Sequence, residues 1–264
     1  MAHLAVPGPF DFALSTERFR AFGIDRANVW HEGGLHRVVG GREVRIEPAP
    51  GGVDVEPFEP EAARLLGLEF DLTAFYDWAR GDRVLRDVVV RLRGFRPPLV
   101  PEPFEMLVGS ITAQQVSLHS ATAIRNRLIE RCGERHDEAW AFPSRDRVAA
   151  LDDGELVALG FSRRKEEYVL ALARGDLDLH ALRGLADDEV RARIVSQRGL
   201  GEWTAEWFLA RHLARPHAWP WGDLALRKAV ADLYRGLDVR EARERFHPFE
   251  NLSAHYLLLA QRVP

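Results

Sequence analysis

The chain changes its hydrophobic period once, near residue 60, and that change limits its architecture more than any other feature. Before it, short β-like runs at 27–31, 35–39, 43–47 and 53–57 are separated by Gly33-Gly34, Gly40-Gly41 and Pro50-Gly51-Gly52. Paired glycines supply the positive φ that tight hairpin turns need, so these runs predict an antiparallel sheet. Residues 10–14 alternate and read as a first short strand, with 15–22 as a helix after it. Beyond Pro60, apolar residues recur at helical spacing. Helices are predicted at 72–80 and 84–92. A stiff connector carrying Pro97, Pro98, Pro101 and Pro103 follows, and 104–131 reads as one long helix or a pair. Further helices are predicted near 145–151, 153–159, 163–174, 186–197, 202–214, 223–235, 238–245 and 251–262. Strands first and helices after imply a segregated α+β fold, with a small antiparallel β-sheet unit over 1–66 and an all-α core over 67–264.

Composition narrows the class. Apolar residues make up 46% of 264, enough for a sizeable core. No apolar run approaches the roughly 18–20 residues that span a membrane, and no basic segment followed by an apolar run marks a signal peptide. The single cysteine, Cys132, excludes an internal disulfide, a multi-cysteine zinc site and an iron–sulfur cluster. A reducing, cytoplasmic setting is expected. The formal charge of −4 weighs weakly against a nucleic-acid partner, but backbone amides can hold phosphate without a basic surface.

Three local features carry chemistry. Gly199-Leu200-Gly201 breaks one helical pattern and opens the next. Two glycines let a phosphate approach the backbone, and the free amides and dipole at the second helix start favour an anion. The same spacing also suits an ordinary corner between helices. Trp203 and Trp207 are an i, i+4 pair on the helix that follows, suited either to core packing or to stacking on a flat ring. Asp223 follows Gly222 at a helix start, where it serves either as an N-cap or as a carboxylate facing a developing cation. Gln114-Gln115 lies mid-helix in an otherwise apolar stretch. The ten histidines are scattered with no His-x-x-x-His spacing, so no metal site is expected.

Taken together, Gly199-Leu200-Gly201-Glu202-Trp203-Thr204-Ala205-Glu206-Trp207-Phe208 and Gly222-Asp223-Leu224-Ala225-Leu226-Arg227 resemble the hairpin and aspartate motif of the helix–hairpin–helix DNA glycosylases, nearest to their alkylbase branch. The stretches 104–117, 160–168 and 247–256 resemble that branch's other core segments, so the likeness runs from about residue 70 to the end. The resemblance implies a monofunctional hydrolase that flips an alkylated purine, 3-methyladenine or 7-methylguanine, out of double-stranded DNA and leaves an abasic site. It implies Asp223 as the catalytic carboxylate and Trp203, Trp207 and Phe249 as the base pocket, whose indole faces would grip a cationic base. It implies DNA contacts at Gly199, Leu200, Gly201, Thr204, Gln114, Gln115 and Ser117. Gln115 stands where some members carry a Leu wedge. No cofactor is implied beyond a monovalent cation bridging the hairpin to a phosphate. Bifunctional relatives carry a lysine nucleophile where this chain has Trp203, and its only lysines are Lys165 and Lys228. A glycosylase/lyase and a non-catalytic DNA-binding hairpin module are the competing expectations. The protein is expected to be a monomer.

Overall fold

A computed structural model describes residues 2–263 of the chain. Five strands, β1 (Ala2–Ala5), β2 (Asn28–His31), β3 (Gly34–Val39), β4 (Arg42–Ala49) and β5 (Gly52–Glu56), form one antiparallel sheet in the order β1-β5-β4-β3-β2. The β2–β5 meander follows from the glycine turns: Gly33, Gly40, Gly41 and Gly51 all take positive φ. Two expectations change. Residues 10–14 are not a strand, because the Asp11 side chain accepts from Leu14 N and starts helix α1 (Phe12–Thr16). The strand beside β5 is instead Ala2–Ala5, one edge of the sheet, which pairs from Ala2↔Val55 to Ala5↔Gly52. Five residues cannot separate the strand period from the helical one, so the cap decided the first case.

The helical part begins with α2 (Ala62–Leu65), α3 (Leu72–Ala79) and α4 (Arg83–Arg91). Next come α5 (Pro103–Ala113) and α6 (Leu118–Cys132), two helices rather than one. A small hairpin, β6 (Glu134–Arg135) with β7 (Trp140–Ala141), was not expected. Then follow α7 (Arg145–Ala149), α8 (Glu155–Ala158), α9 (Arg163–Arg174), α10 (Asp187–Val195), α11 (Glu202–Arg211), α12 (Leu224–Leu233), α13 (Val239–Arg245) and α14 (Glu250–Ala260). Side-chain oxygens of Asp71, Asp82, Ser117, Ser144, Ser162, Asp223 and Asp238 accept first-turn amides, which is why these helices start where they do.

The buried residues fall into three clusters. Leu35, Val44, Ile46, Val53 and Val55 of the sheet pack on Leu65 and Leu66. A second cluster joins α5–α11, around Leu107, Leu128, Val169, Ile194 and Phe208. A third joins α3 and α4 to α12–α14, around Phe75, Leu85, Trp219, Phe246 and Tyr256. The helical core is thus two lobes; the chain passes from the α3–α4 lobe into the α5–α11 lobe between α4 and α5 and crosses back just after α11.

The sheet is locked to this core by buried charge. The Arg37 guanidinium of β3 bonds the Glu105 carboxylate of α5 through both nitrogens, and Arg125 of α6 bonds both Glu105 and Asp25. Glu105 is only 4% exposed. Burial acts to raise its carboxyl, but Arg37 and Arg125 outweigh that and hold it below the ordinary carboxylate range. The 1–66 unit therefore bears directly on the helical core.

Candidate active site

The hairpin between α10 and α11 turns on Gly199, where no side chain fits. Gly199 has φ +85, and a Cβ there would lie 2.1 Å from the Tyr168 ring. Gly201 is the N-cap of α11, without a side-chain cap, and a Cβ there would meet open space. The first-turn amides of α11 thus have neither an intrahelical acceptor nor a capping side chain. Leu200, 5% exposed, and Thr204, 1% exposed, point their side chains inward, so only their backbones can face a phosphate. Gln114 and Gln115 are not mid-helix. They form the break between α5 and α6, with Gln115 at φ +55. Gln114 Nε2 donates to Gly199 O at 3.0 Å and so braces the hairpin, while Ser117 caps α6 through Ser120 N.

Asp223 is both a cap and the centre of a cluster. Its Oδ1 accepts from Ala225 N at 2.9 Å and Leu226 N at 3.0 Å. Its Oδ2 accepts from Trp203 Nε1 at 3.2 Å and Trp207 Nε1 at 3.0 Å. The two indoles four residues apart on α11 converge on one oxygen. The turn before Asp223 is fixed in its own right: Glu206 accepts from Trp219 N at 2.7 Å, the buried Trp219 indole donates to Val239 O, and Asp223 N donates to Pro220 O. Aspartate and indoles come from opposite lobes and meet at the crossing.

They open onto a cavity of about 210 Å³ lined also by Arg18, Phe22, Leu99, Arg125, Arg211 and Arg262. That is smaller than the ~300 Å³ at which drug-sized pockets begin, a scale suited to one base rather than a whole nucleotide. A larger cavity of about 670 Å³ lies between β3, α5 and the 142–146 and 175–180 segments, and it contains none of this cluster. Phe249 does not join the cavity lining. It packs on Phe75 and Trp78, with ring centroids 5.6 and 5.5 Å away.

Trp207 lines the cavity beside Trp203 but offers it little surface. It is 2% exposed, and the Arg211 guanidinium carbon sits 3.6 Å from its ring centre. That face is already occupied by a cation. Among the described residues, no carboxylate is bonded to Arg211, and its Nε is buried without a hydrogen-bond partner. Burial, then the like charge of Arg18, lowers the Arg211 guanidinium well below its ordinary value. Burial, then Arg262, brings Arg18 down to about 10. Burial and then Arg211 lower His255 well below the usual imidazole range. Arg18 and Arg211 line the same cavity as Asp223. Sequence reasoning missed both arginines. The i, i+4 spacing of Trp207 and Arg211 was a usable signal, but nothing local marked Arg18, which the N-terminal unit delivers from a distance.

The HhH-GPD superfamily of base excision DNA repair proteins matches residues 108–251. This segment runs from α5 through the hairpin and Asp223 to the start of α14, and it covers more than half of the chain. The chain belongs to that superfamily. A DNA-3-methyladenine glycosylase of Bacillus subtilis is 30% identical over 171 residues, covering 62% of this chain and 56% of the relative. A probable bifunctional transcriptional activator/DNA repair enzyme AlkA of Mycobacterium tuberculosis is 30% identical over 278 residues, covering 96% of this chain and 55% of the relative. The chain spans about half the length of these curated relatives. The solved 3-methyladenine DNA-glycosylase from Archaeoglobus fulgidus superposes with a TM-score of 0.90 at 28% identity, covering 99% of this chain and 98% of that one. The superfamily match and this superposition agree with the α+β fold read from the sequence. Among the described residues, no helix is long and apolar enough to cross a membrane.

Proposed function

We propose that the protein is a monofunctional DNA glycosylase that hydrolyses the N-glycosidic bond of alkylated purines, 3-methyladenine and 7-methylguanine, in double-stranded DNA. The observation that carries this reading is the Asp223 carboxylate, which lines a base-sized cavity and is held by two indole N–H groups from the helix that starts at the Gly199–Gly201 hairpin. The names of the Bacillus and Archaeoglobus relatives support the lesion class.

The amides of α11 hold a backbone phosphate, and the flipped base enters the cavity and stacks on the half-buried Trp203. The C1′–N bond breaks with its electron pair leaving on the base. An N3- or N7-alkylated purine is cationic in the duplex and departs neutral, so little acid assistance is needed. The developing positive charge at C1′ faces Asp223, which stabilises it and orients the water that adds there; that water's proton passes to the carboxylate or to solvent. With the Trp207 face taken by Arg211, lesion selectivity rests on the leaving-group ability of the alkylated base more than on a cation over Trp207. The enzyme acts as a cytoplasmic monomer on DNA, and a monovalent cation at the hairpin fits the scheme without being required by it.

The test is release of 3-methyladenine from methylated duplex DNA by the wild type and by Asp223→Asn. Loss of release with DNA binding retained supports the assignment; no release by the wild type overturns it. A lyase would need an amine. Lys165 Nζ, with its pKa lowered by burial, donates to Thr112 O, and Lys228 is exposed on α12. Failure of borohydride to trap a protein–DNA adduct supports the monofunctional reading.

A further inference from the structure

We propose that His217, His247 and Glu250 form a binding site for a divalent transition-metal cation of the zinc type. His217 lies on the segment between α11 and Asp223, His247 on the turn before α14, and Glu250 at the first position of α14. None of them takes part in the hydrolysis proposed above.

Glu250 is 3% exposed, yet among the described residues its carboxylate meets only the two imidazoles. His217 Nδ1 is 3.1 Å from Oε2 and His247 Nδ1 is 3.2 Å from Oε1. A buried carboxylate is costly unless neutralised, and imidazoles carry charge only when protonated. The two rings are stacked, with centroids 5.1 Å apart and planes 19° apart, and each presents Nδ1 to the same carboxylate. A dication held by the two Nδ1 atoms and this carboxylate neutralises the buried charge.

The geometry fits. Zinc at ~2.0–2.1 Å from tetrahedral N and O ligands places those ligands ~3.3 Å apart. The nitrogen–oxygen separations, 3.1 Å to one carboxylate oxygen and 3.2 Å to the other, are each close to that edge, and one ligand atom from each residue can be chosen with all three within 4.8 Å of one another. The histidine side chains are 45% and 65% exposed, so an ion can enter and a ring can turn to close the remaining gap. Two nitrogens and one carboxylate favour a borderline ion over magnesium or calcium, and water completes the fourth position. The role is a cross-link. Asn251 already ties α14 to this segment through Pro216 O and Arg215 O at 3.0 Å each. A metal adds a second tie just ahead of the turn that presents Asp223.

The experiment is zinc titration of the full, chelator-treated protein by calorimetry, with thermal unfolding and the cobalt(II) visible spectrum as further readouts. The expected result is one ion per chain, a rise in Tm with zinc but not magnesium, and tetrahedral cobalt absorption. His217→Ala and His247→Ala should each weaken zinc binding by ~10-fold or more, since even groups that merely orient metal ligands carry 10–100-fold effects. Both substitutions are at exposed side chains, and the metal-free Tm of each variant checks that it has folded. Absence of saturable binding, or undiminished binding in the double variant, overturns the proposal; two neutral imidazoles donating to Glu250 would then account for the cluster. Base release plays no part in these readouts, so they stand whether or not the glycosylase reading does.

Discussion

The Arg211 guanidinium carbon lies 3.6 Å from the centre of the Trp207 ring, on the same helix and one turn on. The pair sets a fixed cation where an aromatic cage would otherwise receive a cationic base. Arg211→Ala removes both the charge and the stem that covers the ring. Freeing that face, worth ~0.5–1 kcal/mol to a cation, should raise single-turnover release of 3-methyladenine relative to the neutral base hypoxanthine by ~2–5-fold. An unchanged ratio would place Arg211 outside lesion discrimination.

Asp223→Asn should lower base release by ~100-fold or more, the scale of losing one electrostatic group at a developing charge. It should also destabilise the fold. Four N–H donors converge on the carboxylate, so the Asn amide NH2 must face either the two indoles or the α12 amides. Donors left facing donors cost ~1–3 kcal/mol, visible as a fall in Tm. An unaltered Tm would show that the indole bonds contribute little to stability.

Gly199→Ala meets two penalties at once, a positive φ and a Cβ 2.1 Å from the Tyr168 ring. It should cost more than ~1 kcal/mol and displace the hairpin, weakening binding to undamaged and damaged duplex alike. Gly201→Ala, with open space around its Cβ and φ −117, is the control that should retain the fold.

His212 is 3% exposed, its Nδ1 lies 2.8 Å from Val100 O, and burial pushes its pKa down to about 4. The unfolded chain therefore takes up the proton first as pH falls. The stabilising contribution is complete above about pH 6.5, declines between 6.5 and 4, and levels off below that; over this window it amounts to ~3 kcal/mol. Subtracting the pH–stability curve of His212→Asn from that of the wild type should isolate this slope. Parallel curves would contradict it.

Much of the site was legible because its parts are local. A Gly-x-Gly turn, an i, i+4 tryptophan pair and an aspartate after glycine each declare a backbone geometry within a few residues, and the glycine-punctuated runs declare the meander. Where the window was short, local signals failed. Residues 10–14 alternate yet form α1, because Asp11 accepts the Leu14 amide. Gln114 and Gln115 sit in an apolar stretch yet end a helix, with Gln115 at positive φ and Gln114 bonded to Gly199 85 residues away.

The sequence by itself determined the α+β order, the hairpin, the cap at Asp223 and the absence of a lysine at position 203, since all of these depend on residue type and near-neighbour spacing. Only the tertiary structure decided that Trp203 and Trp207 share one Asp223 oxygen, that Arg18 reaches the same cavity from the N-terminal unit, that Phe249 packs away from it, and that His217 meets Glu250 33 residues on. The physical reason is that burial and charge pairing are set by which surfaces the two lobes and the sheet bring together. Local spacing specifies each surface but does not fix its partner.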